Sequence, residues 1–98
     1  MEQQKSKGYT YILRCADGAL YVGSTTNLYD RIKRHQSGNG SEFTKLHKSV
    51  ELVYKEEYDT YSEAFRRERQ LHKWTVAKKE ALIAGDIELL KALSKSRG

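Results

Sequence analysis

Proline is absent from the 98 residues, and cysteine occurs once, at Cys15. A single thiol excludes an internal disulfide and a cysteine-rich zinc site. Within an apolar run it reads as a small buried strand residue, and such sparing use of cysteine points to a reducing, cytoplasmic setting. Long apolar runs are missing too. Nothing approaches the roughly 20 residues of a membrane span, and no apolar h-region opens the chain, so no membrane partner is expected. Repeats, low-complexity tracts and an evident linker are also lacking. That leaves one domain over residues 1–98: a polar stretch at 1–7 expected to be disordered, a core over about 8–85, and a C-terminal helix within 86–98. Acidic residues are the scarcer charge, thirteen Asp and Glu against eighteen Lys and Arg, for a net charge of +5. A basic chain favours a polyanionic partner, because each cation near a phosphate releases a counterion.

The hydrophobic fraction is a modest 38%, yet seven tyrosines, two phenylalanines and one tryptophan can cover much of a small core. Residues 9–15 are rich in β-branched, aromatic and apolar types and read as a strand. "ADG" (residues 16–18) is a turn, and "LYVG" (20–23) begins a second strand. Two registers are open. If Asp17-Gly18 alone make a two-residue turn, Tyr11 and Tyr21 point to opposite faces of the sheet. If Ala16-Asp17-Gly18 form a loop with Gly18 left-handed, the two phenols are diagonal neighbours on one face. "STTNLYDRIKRHQSG" then reads as a helix with Ser/Thr candidates for its N-cap, Leu28 and Ile32 inward, and Gly38 as its stop. A Gly- and Ser-rich loop follows, then a strand in "VELVYKEEY". Thr60 to Glu63 fit a capping box opening a helix to about Lys73. Thr75 and Asp86 cap two more short helices with Gly85 between them. The expected fold is α+β, a small three-stranded antiparallel sheet flanked by helices in the order β-β-α-β-α-α-α.

Two helices carry charge where apolar residues are expected. Arg31 and His35 border the stripe of Leu28 and Ile32; for a lone arginine the ordinary reading is a stem snorkelling at the edge of a core. On the helix after Thr60 the expected inward residues are Tyr61, Ala64, Phe65, Leu71 and His72, and Glu68 falls among them. An unpaired buried carboxylate is costly, so Glu68 needs a cation, a metal or a raised pKa; an ion pair with Arg31 or a lysine has comparable weight. His47 and His72 are isolated and make no pair with metal-ligand spacing. Lys45 and Lys48 lie in the Gly-rich loop, where they could touch a nucleic-acid backbone.

Taken in order, these outliers resemble the GIY-YIG nuclease domain. "YTY" (9–11) stands for that family's first triplet and "YVG" (21–23) for its second. "NLYDRIKRH" carries the helical arginine at Arg31 with a polar partner at His35, and "RRERQLHKW" carries the glutamate at Glu68. The likeness covers about residues 8–85 and is most specific to small stand-alone bacterial members. Tyr9 and Thr10 replace the Gly-Ile of the first triplet. The asparagine that larger members carry after the glutamate has no counterpart, for none occurs beyond Asn39.

The resemblance implies a divalent-metal-dependent endonuclease acting on DNA rather than RNA, in repair or recombination. Tyr11, Tyr21, Arg31, His35 and Glu68 would be its catalytic set. Glu68 would hold one Mg²⁺ or Mn²⁺, and Arg31 would brace phosphate oxygens in a bidentate fork. A tyrosine, Tyr11 or Tyr21, would deprotonate or orient water, and His35 would position phosphate or water. Gly23, Arg34, Lys45 and Lys48 are the expected contacts to nucleic acid. With little length for a sequence-reading module, cleavage is expected to be structure-selective or guided by a targeting protein. Two other readings remain, a non-catalytic nucleic-acid-binding module of the same fold and a protein-interaction domain.

Overall fold

The computed structural model describes residues 6–37 and 49–95. Three strands, β1 (Gly8–Arg14), β2 (Leu20–Thr25) and β3 (Glu51–Tyr58), form an antiparallel sheet in the order β2-β1-β3. Helix α1 (Leu28–Gln36) follows β2, while α2 (Tyr61–His72), α3 (Val76–Ala84) and α4 (Ile87–Lys95) follow β3. The architecture is α+β with the expected element order. No described helix is long and apolar enough to cross a membrane. The Gly-rich loop with Lys45, Lys48, His47 and the proposed stop Gly38 lies outside the described residues.

The hairpin adopts the second of the two registers. Gly18 sits at φ 88°, a left-handed position that suits a residue without Cβ. The amide of Cys15 donates to the Ala19 carbonyl at 2.9 Å, and that of Gly18 to the Cys15 carbonyl at 2.8 Å. Leu13 therefore faces Tyr21, and Tyr11 faces Gly23.

Alternation along the strands gives the sheet two apolar faces. Tyr11, Leu13, Cys15 and Val50 form one cluster, closed by Leu28 and Ile32 of α1. Ile12, Val22 and Leu71 form the other, with Trp74, Leu82 and Ile83 packed against it. Cys15 is buried, as its place beside the strand suggested, and burial raises its thiol pKa. A register shift between Ile12 and Leu13 lets Leu52 turn to the first face while Val53 and Tyr54 both reach the second.

The caps explain where the helices start. Thr60 and Glu63 close a full capping box, and Thr75 accepts from the Lys78 amide. Asp86 accepts from the Leu89 amide at 3.1 Å, and Gly85 ends α3 in the left-handed conformation. The first helix differs from expectation. Its N-cap is Asn27, whose side chain accepts from the Asp30 amide at 3.1 Å, and not a Ser or Thr. Thr25 is taken up instead by a turn, accepting from the Asn27 amide at 3.1 Å.

The packed face of α2 also departs from expectation. Ala64 and Leu71 are fully buried, but Tyr61 and Phe65 are 39% and 42% exposed, and His72 is exposed as well. Close approach of helix to sheet is the reason. The Thr10 hydroxyl donates to the Ala64 carbonyl at 2.8 Å, and a backbone that near leaves room for alanine but not for an aromatic ring. The helix is thereby rotated so that Arg67 and Glu68 flank the buried residues.

Among the described residues two ion pairs fasten helices to the sheet. Arg14 grips Glu80 of α3 in a bidentate fork, at 2.7 and 2.8 Å. Arg67 of α2 donates to both carboxylate oxygens of Glu56 on β3, at 2.9 and 3.1 Å. Tyr54 and Tyr58 donate to the same carboxylate. Burial opposes its charge, but these four donors outweigh it and hold Glu56 below the usual carboxylate range. Lys7, just before β1, reaches Glu57 at 2.7 Å.

Candidate active site

The chemistry-bearing residues gather at one end of the hairpin, along the edge strand β2. Because Tyr11 opposes Gly23, its ring lies across that residue toward Tyr21, with ring centroids 6.4 Å apart. Gly23 is buried and makes the arrangement possible. A Cβ there would come within 2.5 Å of the Tyr11 hydroxyl and 2.6 Å of Cζ, far inside van der Waals contact. Its place, buried under the phenol, is where the sequence reading had expected a contact to nucleic acid.

His35, at the end of α1, closes the group from above. Its Nε2 lies 3.1 Å from the Tyr11 hydroxyl, and its ring centroid is 5.1 Å from that of Tyr21. Tyr11 is 0% exposed and His35 3%, whereas Tyr21 and Arg31 are half-buried and Arg34 is exposed. Burial pushes the Tyr11 phenol up to about 12, with the neighbouring Tyr21 acting in the same direction and Arg31 pulling against them. Burial also lowers the His35 pKa, reinforced by Arg31 and Arg34. Near neutral pH the pair is therefore a protonated phenol and a neutral imidazole. The hydroxyl can then donate to Nε2, a tautomer that follows from these protonation states.

The Arg31 guanidinium draws the Tyr11 phenol's pKa down, while the Glu68 charge pushes it up. Glu68 itself comes from the other layer. Strand alternation puts Ser24 on the face opposite Gly23, and the Ser24 hydroxyl donates to Glu68 Oε1 at 2.5 Å. His72, one turn along α2, sets Nε2 2.9 Å from Oε2. The ion pair expected as one possibility, with Arg31 or a lysine, is thus replaced by a hydroxyl and an imidazole. Ser24 escaped the sequence reading, and His72 was set aside there as an isolated histidine. The i, i+4 spacing of Glu68 and His72 was a usable signal, whereas Ser24 gave none before the register was known.

Among the described residues no three His, Cys, Asp or Glu side chains cluster as a metal cage. What Glu68 offers is one half-buried carboxylate, 20% exposed, beside a hydroxyl and an imidazole. That donor set fits a hard cation such as Mg²⁺, which commonly takes one or two carboxylates and fills its shell with water and substrate phosphate.

The family description "GIY-YIG catalytic domain" matches residues 7–81. A UPF0213 protein of Staphylococcus saprophyticus is 42% identical over 80% of this chain and 95% of its own length. One from Natronomonas pharaonis is 42% identical over 80% and 92%. Two solution NMR structures share the fold. The UPF0213 protein BH0048 of Bacillus halodurans has a TM-score of 0.53 at 37% identity, covering 80% of this chain and 83% of that one. The protein EF2693 of E. faecalis has 0.54 at 32%, covering 99% and 96%. The chain belongs to the GIY-YIG family, a family of nucleases, and is similar to its small stand-alone UPF0213 members.

Proposed function

We propose that the chain is an endonuclease that hydrolyses DNA phosphodiester bonds, with Glu68 holding one divalent cation. What supports this reading is the packing of Tyr11, Tyr21 and His35 over Gly23, with Glu68 bonded to the next residue, Ser24, and its charge felt at Tyr11. Hydrolysis requires an attacking water, charge stabilisation at phosphorus and a proton for the leaving oxygen. A cation at Glu68, Mg²⁺ or Mn²⁺, would supply a Lewis acid beside the scissile phosphate.

The remaining roles follow from exposure and protonation. Arg31, half-buried and always charged, is suited to hold two phosphate oxygens, which a lysine cannot do in the same plane. Tyr21 is the phenol that solvent reaches, so we assign it the contact with the attacking water. Tyr11 has no exposed surface and a pKa of about 12. Its anion is populated at roughly one part in 10⁵ at neutral pH, which makes it a poor resident base. Its assigned role is to orient Tyr21 and, with neutral His35 behind it, to provide a place where a proton can rest. Water oxygen bonds to phosphorus, the phosphorus–ester oxygen bond breaks, the proton of the water passes toward this pair, and the leaving oxygen is protonated by solvent.

The test is incubation of the purified protein with single-stranded, duplex and branched DNA and with RNA, in Mg²⁺ or Mn²⁺, beside Arg31→Ala and Glu68→Ala. Metal-dependent nicking that either substitution lowers by two or more orders of magnitude supports the assignment. Salt-dependent binding without cleavage would point to a binding module, and absence of any binding to a protein-interaction domain.

A further inference from the structure

The rotation of α2 that buries Ala64 leaves an aromatic stripe that the described residues cover only in part. Tyr61 and Phe65, one turn apart, are 39% and 42% exposed and stack on each other at 6.0 Å with an interplanar angle of 25°. One turn further, the Arg69 guanidinium lies 5.9 Å from the Phe65 ring centroid. Arg66 and Arg69 are both exposed. A phenylalanine this open leaves a large part of its ring to solvent.

The stripe is continuous with the candidate active site. Tyr61 Oη lies 3.3 Å from Ser24 Oγ, and Ser24 donates to Glu68. Glu68 is itself three residues from Phe65, on the adjoining edge of the helix. Two hydrogen bonds thus separate the outermost ring system from the carboxylate.

From this geometry we infer that Tyr61 and Phe65 are a stacking platform for an unpaired nucleobase whose own strand presents a phosphate at Glu68. Cationic flanks match the charge of that strand, since Arg66 and Arg69 border the rings and the chain carries a net charge of +5. Bases inside a duplex are stacked on both faces and have no free ring surface, whereas a single strand, flap or loop offers one to any aromatic plane. The platform therefore selects nucleic acid with unpaired residues next to the bond that is cut. This rests on the phosphodiesterase reading of the Glu68 site and names its substrate class.

Binding without metal tests it. Fluorescence anisotropy in EDTA would compare a labelled twelve-thymidine strand with an abasic strand of the same length, which has the phosphates but no bases. Wild type should prefer the thymidine strand. Phe65→Ala should weaken that binding by about 5- to 100-fold and change abasic-strand binding less than about twofold, while Phe65→Trp should keep it. Phe65→Leu retains apolar volume without a ring face and carries the test if the alanine variant folds poorly. Equal affinity for the two strands, or undiminished binding by both non-aromatic variants, overturns the platform. Cleavage in Mn²⁺ separates the two readings. Glu68-dependent cutting that ignores Phe65 sinks the platform and leaves the nuclease assignment standing. Phe65-dependent binding with no cutting supports the platform and removes the nuclease assignment.

Discussion

Replacing Gly23 by alanine probes the packing on which the whole site depends. The new methyl would sit 2.5 Å from the Tyr11 hydroxyl, 2.6 Å from Cζ and 3.1 Å from Cε2 of Tyr21. Tyr11 cannot simply step aside, because it is fully buried and its hydroxyl lies 3.1 Å from His35 Nε2. Overpacking of this kind costs about 1–3 kcal/mol, and the displaced hydrogen bond about 0.5–1.5 kcal/mol more. Alanine is easier to order in a strand than glycine by about 0.5–1 kcal/mol, which offsets part of the loss. The net expectation is a destabilisation of about 1–3.5 kcal/mol, read from urea unfolding followed by circular dichroism. The same substitution in a Tyr11→Leu background removes the ring it would strike. There it should be neutral or mildly stabilising, giving a coupling of at least about 1 kcal/mol across the cycle. An equal cost in both backgrounds would refute the reasoning, since the penalty would then lie in the strand and not beneath the phenol.

Three further outcomes follow from the same contacts. Mn²⁺ at a hundredfold excess over its dissociation constant should stabilise the wild type by about 2.7 kcal/mol, seen as a rise in Tm, and should leave Glu68→Gln unmoved; an equal rise in both would place the ion elsewhere. His35 is held neutral in the fold, its pKa below the ordinary value of about 6.5. As pH falls through that value the unfolded chain takes up the proton first, so stability should drop on acidification and level off once the folded imidazole also titrates. His35→Gln should flatten that part of the urea midpoint against pH, and an unchanged slope would assign it to other groups. Arg67→Leu strips Glu56 of its bidentate partner and should cost about 3 kcal/mol by thermal or urea unfolding, whereas a loss under about 0.5 kcal/mol would mean that Tyr54 and Tyr58 suffice to hold the carboxylate.

What could be read from the letters, and what could not, divides along the range of the forces involved. The capping box at Thr60, the caps at Thr75 and Asp86 and the left-handed Gly85 are local hydrogen-bond patterns, and each stands where its residues suggested. The hairpin register was undecided because two loops of different length satisfy the same turn residues. It was settled by pairing across the sheet, with Gly18 at φ 88° taking the extra position. The face of α2 was misjudged because hydrophobicity nominated Tyr61 and Phe65. Distance decided otherwise, since the Thr10–Ala64 contact at 2.8 Å leaves no gap for a ring. Ser24 was invisible for a related reason. A serine two residues from a turn gives no sign of its partner until strand alternation aims it at the opposite layer.

The two layers explain why the candidate site opens along β2, although Tyr11 comes from the central strand β1. Tyr11 and Tyr21 rise from one face with α1, whereas Ser24 and Glu68 meet on the other with α2. A central strand would keep those faces apart with backbone on both sides. Among the described residues no strand pairs beyond β2, so side chains on its two faces are not separated by a further strand on that side. Gly23 thins that edge further by presenting no side chain beneath the Tyr11 hydroxyl. The pairs Arg67–Glu56 and Arg14–Glu80 then acquire a functional consequence from a distance. They fix α2 and α3 against the sheet, and so set how far the Glu68 carboxylate stands from groups to which it has no direct bond.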